Sequence, residues 1–314
     1  MADLIVDRQQ GIDPVLTALV LGTPRPVMMP SKRIARSINV PNVQFQWRQY
    51  GKDALKLKDG VKRGPSAEIR SSRYSTTQDD DKLVRYTYAY EADQAEIANA
   101  IGLDVPSDCA FLAQAVVENV IEKEFADIIT AAATYDAGHV VTISGGNEWD
   151  AAGGDSKANI NTVAAAISAD TRIPISELSV FLPQESYNAA LSDPVLLAQL
   201  QALEIGSITT ETLRRHWGVK EVWTSNSAYA DDADDLVGFY GDAAVVYYSE
   251  PTVEGMDNRY GGYTFCCEFG WNDGNALEPY YVNSNTTWYF PWERWVKFNV
   301  TSNVVAGLIL NCAA

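Results

Sequence analysis

Between Pro106 and Gly138 the apolar residues recur at the period of an α-helix more clearly than anywhere else in the chain. Val117, Ile121, Phe125 and Ile128 form one stripe, flanked by Leu112, Val116 and Val120, while Gln114, Glu118, Glu122, Lys123 and Asp127 fall on the other side. Ser107 is the expected N-cap, Asp108 suits the positive end of the helix dipole, and Gly138 supplies a left-handed stop. A helix over 107–136 is roughly 40 Å long at 1.5 Å per residue, enough to carry a whole domain. The remaining segments must be arranged around it.

Residues 1–42 read as an arm. Prolines at 14, 24, 26, 30 and 41 interrupt any long element, and such a segment is expected to gain its order from neighbours. Residues 43–90 read as strands around a long polar connection. Val84, Tyr86, Tyr88 and Tyr90 alternate with Leu83, Arg85, Thr87 and Ala89, the period-2 pattern of a strand with one aromatic face. Lys52, Lys56, Lys58, Lys62, Arg63, Arg70 and Arg73 make the connection ahead of it the most basic part of the chain.

The long helix falls within a segment 91–150. Residues 151–275 then alternate helix and strand: helices are expected at 159–170, 184–191, 194–203 and 210–217, and strands at 178–182, 219–223, 243–248 and 263–269. Residues 276–314 read as return strands, with 296–300 and 304–310 forming a terminal hairpin about Thr301-Ser302-Asn303.

Charge is divided unevenly along these pieces. Residues 1–90 carry 15 Lys+Arg against 9 Asp+Glu, whereas residues 91–314 carry 9 against 32, for a total of −17. That total argues against a nucleic-acid-binding module, because neutralising phosphate needs clustered cations. Two readings of the asymmetry stay open. The regions are either differently solvated, or complementary, with the basic part of one copy lying across the acidic body of another. Repeated head-to-tail contact closes rings or builds lattices.

The order of the pieces resembles the HK97-fold major capsid proteins of tailed bacteriophages, in which an N-arm, an E-loop, a peripheral domain with a spine helix and an axial domain follow one another. Tyr88-Ala89-Tyr90-Glu91-Ala92-Asp93 is similar to the family's exit from the E-loop, and Glu122-Lys123-Glu124-Phe125-Ala126-Asp127 to the centre of its spine helix. Ile143-Ser144-Gly145-Gly146 with Trp149-Asp150 resembles the hinge into the axial domain. Val180-Phe181-Leu182-Pro183-Gln184-Glu185-Ser186-Tyr187, with Asp193-Pro194, resembles a strand, helix and turn within that domain. Ile208-Thr209-Thr210-Glu211-Thr212-Leu213 and Gly218-Val219-Lys220-Glu221-Val222 resemble the next helix and strand. The resemblance covers about residues 61–280, and Ile173-Pro174-Ile175-Ser176 departs from it where many relatives have asparagine after the proline.

The resemblance implies an α+β fold with an E-loop β-hairpin, a peripheral domain and a mixed α/β axial domain. It also implies a shell protein without catalytic activity or cofactor, whose hexamers and pentamers enclose double-stranded DNA without binding it specifically. Assembly would take place in the host cytoplasm and the product would be the virion capsid. The implied partners are other copies, a portal, a decoration protein and, in the lambda-like manner, a separate scaffolding protein, since only about 40 residues precede the E-loop-like region. Arg63, Arg70, Arg73 and Arg85 are the candidates for inter-subunit ion pairs, with Glu118, Glu122 and Glu124 as partners.

Two rivals remain: a nanocompartment shell protein that packages an enzyme, and a soluble α/β hydrolase. The hydrolase would need a pocket joining His139 or His216 to a nucleophile and an acid. There is no G-x-S-x-G elbow and no phosphate-binding glycine loop. Asp231-Asp232-Ala233-Asp234-Asp235 lacks the glycine and distal glutamate of a calcium loop. Cys109, Cys266, Cys267 and Cys312 are spaced as buried thiols, with Cys266 and Cys267 expected on opposite faces of a strand. No stretch approaches the roughly 20 apolar residues of a membrane span and no signal pattern opens the chain, so a cytoplasmic product is expected.

Overall fold

A computed structural model describes residues 13, 15–17, 29–49, 77–100, 104–202, 208–230, 235–249, 264–271, 274–283 and 286–314. In chain order the elements are α1 (Ser31–Ile34), β1 (Arg36–Asn39), β2 (Gln44–Gln49), β3 (Thr77–Lys82), β4 (Val84–Asp93), α2 (Gln94–Asn99), α3 (Val105–Thr130) and β5 (Val140–Thr142). There follow α4 (Ser156–Thr171), β6 (Ser179–Pro183), α5 (Gln184–Leu191), α6 (Pro194–Ala202), α7 (Thr210–Trp217), β7 (Glu221–Ser225), β8 (Ala228–Ala230) and β9 (Leu236–Gly238). The last are β10 (Ala244–Tyr247), β11 (Cys266–Gly270), β12 (Asn275–Ala276), β13 (Tyr280–Val282), β14 (Thr287–Val300) and β15 (Ala306–Leu310).

The fourteen-residue β14 organises a six-stranded sheet. One of its edges pairs with β4 from Thr287↔Asp93 to Val296↔Val84, and the other takes β13, β12 and β11 in succession, all antiparallel. β1 adds to β11 in parallel. Helix α3 packs on this sheet through Ala110, Ala113, Val117, Ile121, Phe125 and Ile129, with Phe125 against Phe298 at 4.9 Å between ring centres. A five-stranded sheet, ordered β5-β15-β10-β6-β7, forms the second layer. Its inner strands β15, β10 and β6 are buried on both faces: Phe181, Val245 and Leu308 join the core of α3, while Val180, Val246 and Ile309 pack beneath α4, α5 and α7. β2 and β3 form an antiparallel ribbon, with Phe45 stacked on Phe269 at 4.6 Å, and β8 and β9 form another.

Several expectations are corrected. The long helix spans Val105–Thr130, not 107–136, and is capped by Asp104, to which the amide and hydroxyl of Ser107 both donate. It stops before Gly138 because Thr130, Thr134 and Tyr135 donate their hydroxyls to the carbonyls of Ala126, Ile128 and Ile129 near its end, which frees the chain to leave. β14 and β15 are not a hairpin. The Thr301 amide and hydroxyl bond to the carbonyls of Phe265 and Thr264, which turns the chain from one sheet into the other.

The sheets also cut across the expected segment boundaries. β5 of segment 91–150 and β15 of segment 276–314 belong to the five-stranded sheet, and β11 of segment 151–275 belongs to the six-stranded one. Within 1–42, residues 31–40 are not a free arm, since Ile34, Ala35, Ile38 and Val40 are buried in the chain's own cores.

Candidate assembly interface

Asp104 fixes the start of α3 and therefore the angular position of every acid along it. Glu118 and Glu122, one turn apart, share a flank with Gln114, and all three are buried, at 3%, 1% and 6% exposure respectively. This corrects their expected placement on the solvent side. The face of α3 that reaches solvent instead carries Leu112 and Val120, together with Glu124 and Asp127. The cause is that α3 is covered on two sides, by the six-stranded sheet and by α1.

The partners of the buried acids lie within the same chain. On β14 the inward positions are Trp292, Arg294, Val296 and Phe298, all buried. Arg294 directs one guanidinium nitrogen to Glu118 at 2.8 Å and another to Glu268. Lys32 adds its ammonium to Glu118 at 3.5 Å. Glu122 accepts from the amide and hydroxyl of Ser31 and from the Tyr240 hydroxyl. Burial raises the pKa of Glu122 and of Glu268 above the ordinary carboxylate value; Arg294 opposes the rise at Glu268, as Ser31 and Tyr240 do at Glu122. Glu118 and Glu122 therefore do not serve as surface partners for a neighbouring copy.

Glu124 is exposed and accepts from the Tyr86 hydroxyl, whose pKa is raised by burial and by that carboxylate. Arg85 projects from the opposite face of β4, bonds Glu293 at 2.8 Å and lies 5.6 Å from the centre of the Trp295 ring. It is half exposed, so a surface remains beside its internal pair. Arg63, Arg70 and Arg73 lie outside the described residues.

The groups weighed for catalysis have structural surroundings. His139 is buried, its ring nitrogens 3.1 Å from the Ala306 carbonyl and 3.2 Å from Asp170. His216 sits in the last turn of α7, where burial lowers its pKa. Cys266 and Cys267 face different cores, and burial holds both thiols protonated, the second at about 11. Among the described residues no group of three or more His, Cys, Asp or Glu is placed to hold a metal ion.

The Arg294 network was the part of the site least visible in sequence. Its one signal is an arginine in phase with the inward aromatic and aliphatic residues of β14, a position that demands a buried acid.

No family model matches the sequence, and no curated protein matches it. Solved structures do match. A phage-related protein from Bordetella bronchiseptica RB50 aligns with a TM-score of 0.75 at 18% identity, over 96% of this chain and 98% of that one. The capsid of cyanophage P-SCSP1u aligns with a TM-score of 0.58 at 9% identity, over 92% and 89% of the two chains. A virus-like particle from Pyrococcus furiosus aligns at 0.53 and 8%, over 94% and 97%. The fold is thus a mixed α/β fold of the HK97 capsid type, aligned over 92–94% of the chain.

Proposed function

We propose that the chain is the major capsid protein of a tailed bacteriophage, a shell subunit whose hexamers and pentamers enclose genomic double-stranded DNA. The observation that carries this reading is the near end-to-end match, in both directions, to a phage-related protein and to a cyanophage capsid. A negative net charge supports it too, since an acidic wall does not hold DNA tightly. Its work is done by surfaces that join copies, with no catalytic centre. The axial and peripheral regions, the basic E-loop of residues 43–90, and the contacts of Arg63, Arg70, Arg73, Arg85 and Glu124 with neighbouring copies belong to this proposal. So do a separate scaffolding protein, a portal, a decoration protein and assembly in the host cytoplasm. A second reading, a nanocompartment shell, draws support from the likeness to the Pyrococcus furiosus particle.

Negative-stain electron microscopy with light scattering, on the protein alone and with its genomic neighbours, tests the proposal. Closed shells, tubes or rings are the expected outcome, and their contents separate DNA packaging from enzyme packaging. A monomer or dimer under every condition would overturn it.

A further inference from the structure

The chain crosses between the two layers along one side of the five-stranded sheet. The chain passes between them in three places: from α3 into β5, from β10 into β11, and from β14 into β15. Those strands of the five-stranded sheet, β5, β15 and β10, are consecutive neighbours. Beside the crossings the Phe265 amide bonds the Tyr248 carbonyl, and Tyr135 stacks on Phe265 at 5.3 Å. β6 and β7 carry no crossing, so the edge at β7 stands roughly 10 Å beyond the last connected strand, two strand spacings away. Its inner face rests on the core of α3 through Phe181 and Trp223, so apolar packing and not a chain crossing sets how that edge sits.

That edge is held by α1, where consecutive residues grip different layers. Ser31 donates to Glu122 of α3, and Lys32 pairs with Glu118 of α3. Arg33 turns the other way, pairing with Glu221 of β7 and lying 4.7 Å from the centre of the Trp223 ring on the same strand. Ile34 is fully buried in the core that holds both Phe125 and Trp223. From the five-stranded side, Tyr240 reaches the same Glu122 carboxylate. Residue 36 then begins β1, which is anchored to β11.

We propose that α1 is a strap that fixes the angle between the two layers, with Lys32 and Arg33 as its two hands. The consequence for a lattice rests on the capsid reading: an angle repeated in every copy sets the curvature of the shell.

The test measures the angle directly. Spin labels are attached at Val120→Cys on α3 and Leu197→Cys on α6, both exposed, in a chain whose four native cysteines are buried. Labelled chain is diluted into unlabelled chain, and the distance distribution is recorded with and without Lys32→Gln and Arg33→Gln. The strap predicts a distribution that broadens and shifts in the double variant while the circular-dichroism spectrum is unchanged. An unaltered distribution overturns the proposal. If the double variant does not fold, Arg33→Gln alone, which removes only the grip on β7, is read in the same way. Particle diameters of the same proteins address the lattice consequence. Absence of shells from the unsubstituted protein would sink the capsid reading and leave the distance measurement to decide the strap.

Discussion

Arg294 on β14 and Glu118 on α3 meet at 2.8 Å across 176 residues of sequence, both at 3% exposure, and Glu268 completes the pair on the other side of the guanidinium. Breaking such a network by removing one member leaves buried charge without compensation. Arg294→Met is expected to destabilise the subunit by about 3–5 kcal/mol. Replacing all three, with Glu118→Leu and Glu268→Leu added, should recover most of that loss, because the desolvation penalty disappears together with the attraction. Urea unfolding of the unassembled protein measures both, and a triple variant no better than Arg294→Met would show that shape at this site matters more than charge.

The carboxyls of Glu122 and Glu268 are raised from the ordinary value of 4.5, chiefly by burial. The folded state therefore binds protons that the unfolded state has already released. Stability from these groups is highest below the unfolded value and declines as pH rises through the window up to the raised folded values. Glu122→Gln keeps an oxygen to accept from Ser31 and Tyr240 but cannot titrate. Unfolding curves recorded from acid to neutral pH should show a shallower decline in that variant, and an identical slope would mean that Glu122 titrates normally.

Gly307 in β15 lies against α4 so closely that an added Cβ would stand 2.3 Å from Val163 Cγ1 and 2.7 Å from the His139 carbonyl oxygen. The second neighbour is backbone and cannot swing aside. Gly307→Ala is expected to cost about 1–3 kcal/mol as α4 is forced off β15. Thermal melting of the purified subunit reads this directly, and an unchanged midpoint would show that the α4 packing is looser than these distances.

Local signals in the sequence were legible and long-range ones were not. The spans expected for α5 and α7 coincide with the observed Gln184–Leu191 and Thr210–Trp217. In α7 the information is close at hand: Thr209 caps the Thr212 amide, and Gly218 leaves at φ 70°. The aromatic alternation of β4 was equally local. By contrast, the inward turn of Glu118 and Glu122 depends on Arg294, and the parting of β14 from β15 depends on bonds to Thr264 and Phe265. Period counting on α3 alone placed those acids outside, since it cannot count how many sides of a helix will be covered.

Charge reversal at Arg70 and Arg73 tests the proposed contacts between copies. Deleting residues 1–50, an obvious alternative, would remove α1 and β1 with the buried Ile34 and Ile38, and so would damage folding itself. Charge reversal at Arg70 and Arg73 keeps α1 and β1 in the chain. Each exposed ion pair between copies is worth only about 0–1 kcal/mol, but a shell repeats the pair in every subunit, so small losses add across the lattice. The expected result is a raised critical concentration for assembly by light scattering, more pronounced at low salt than at high, with no change in the melting temperature of the free subunit. Assembly that proceeds as in the unsubstituted protein would remove these arginines from the interface, and a lowered melting temperature would assign them to the fold instead.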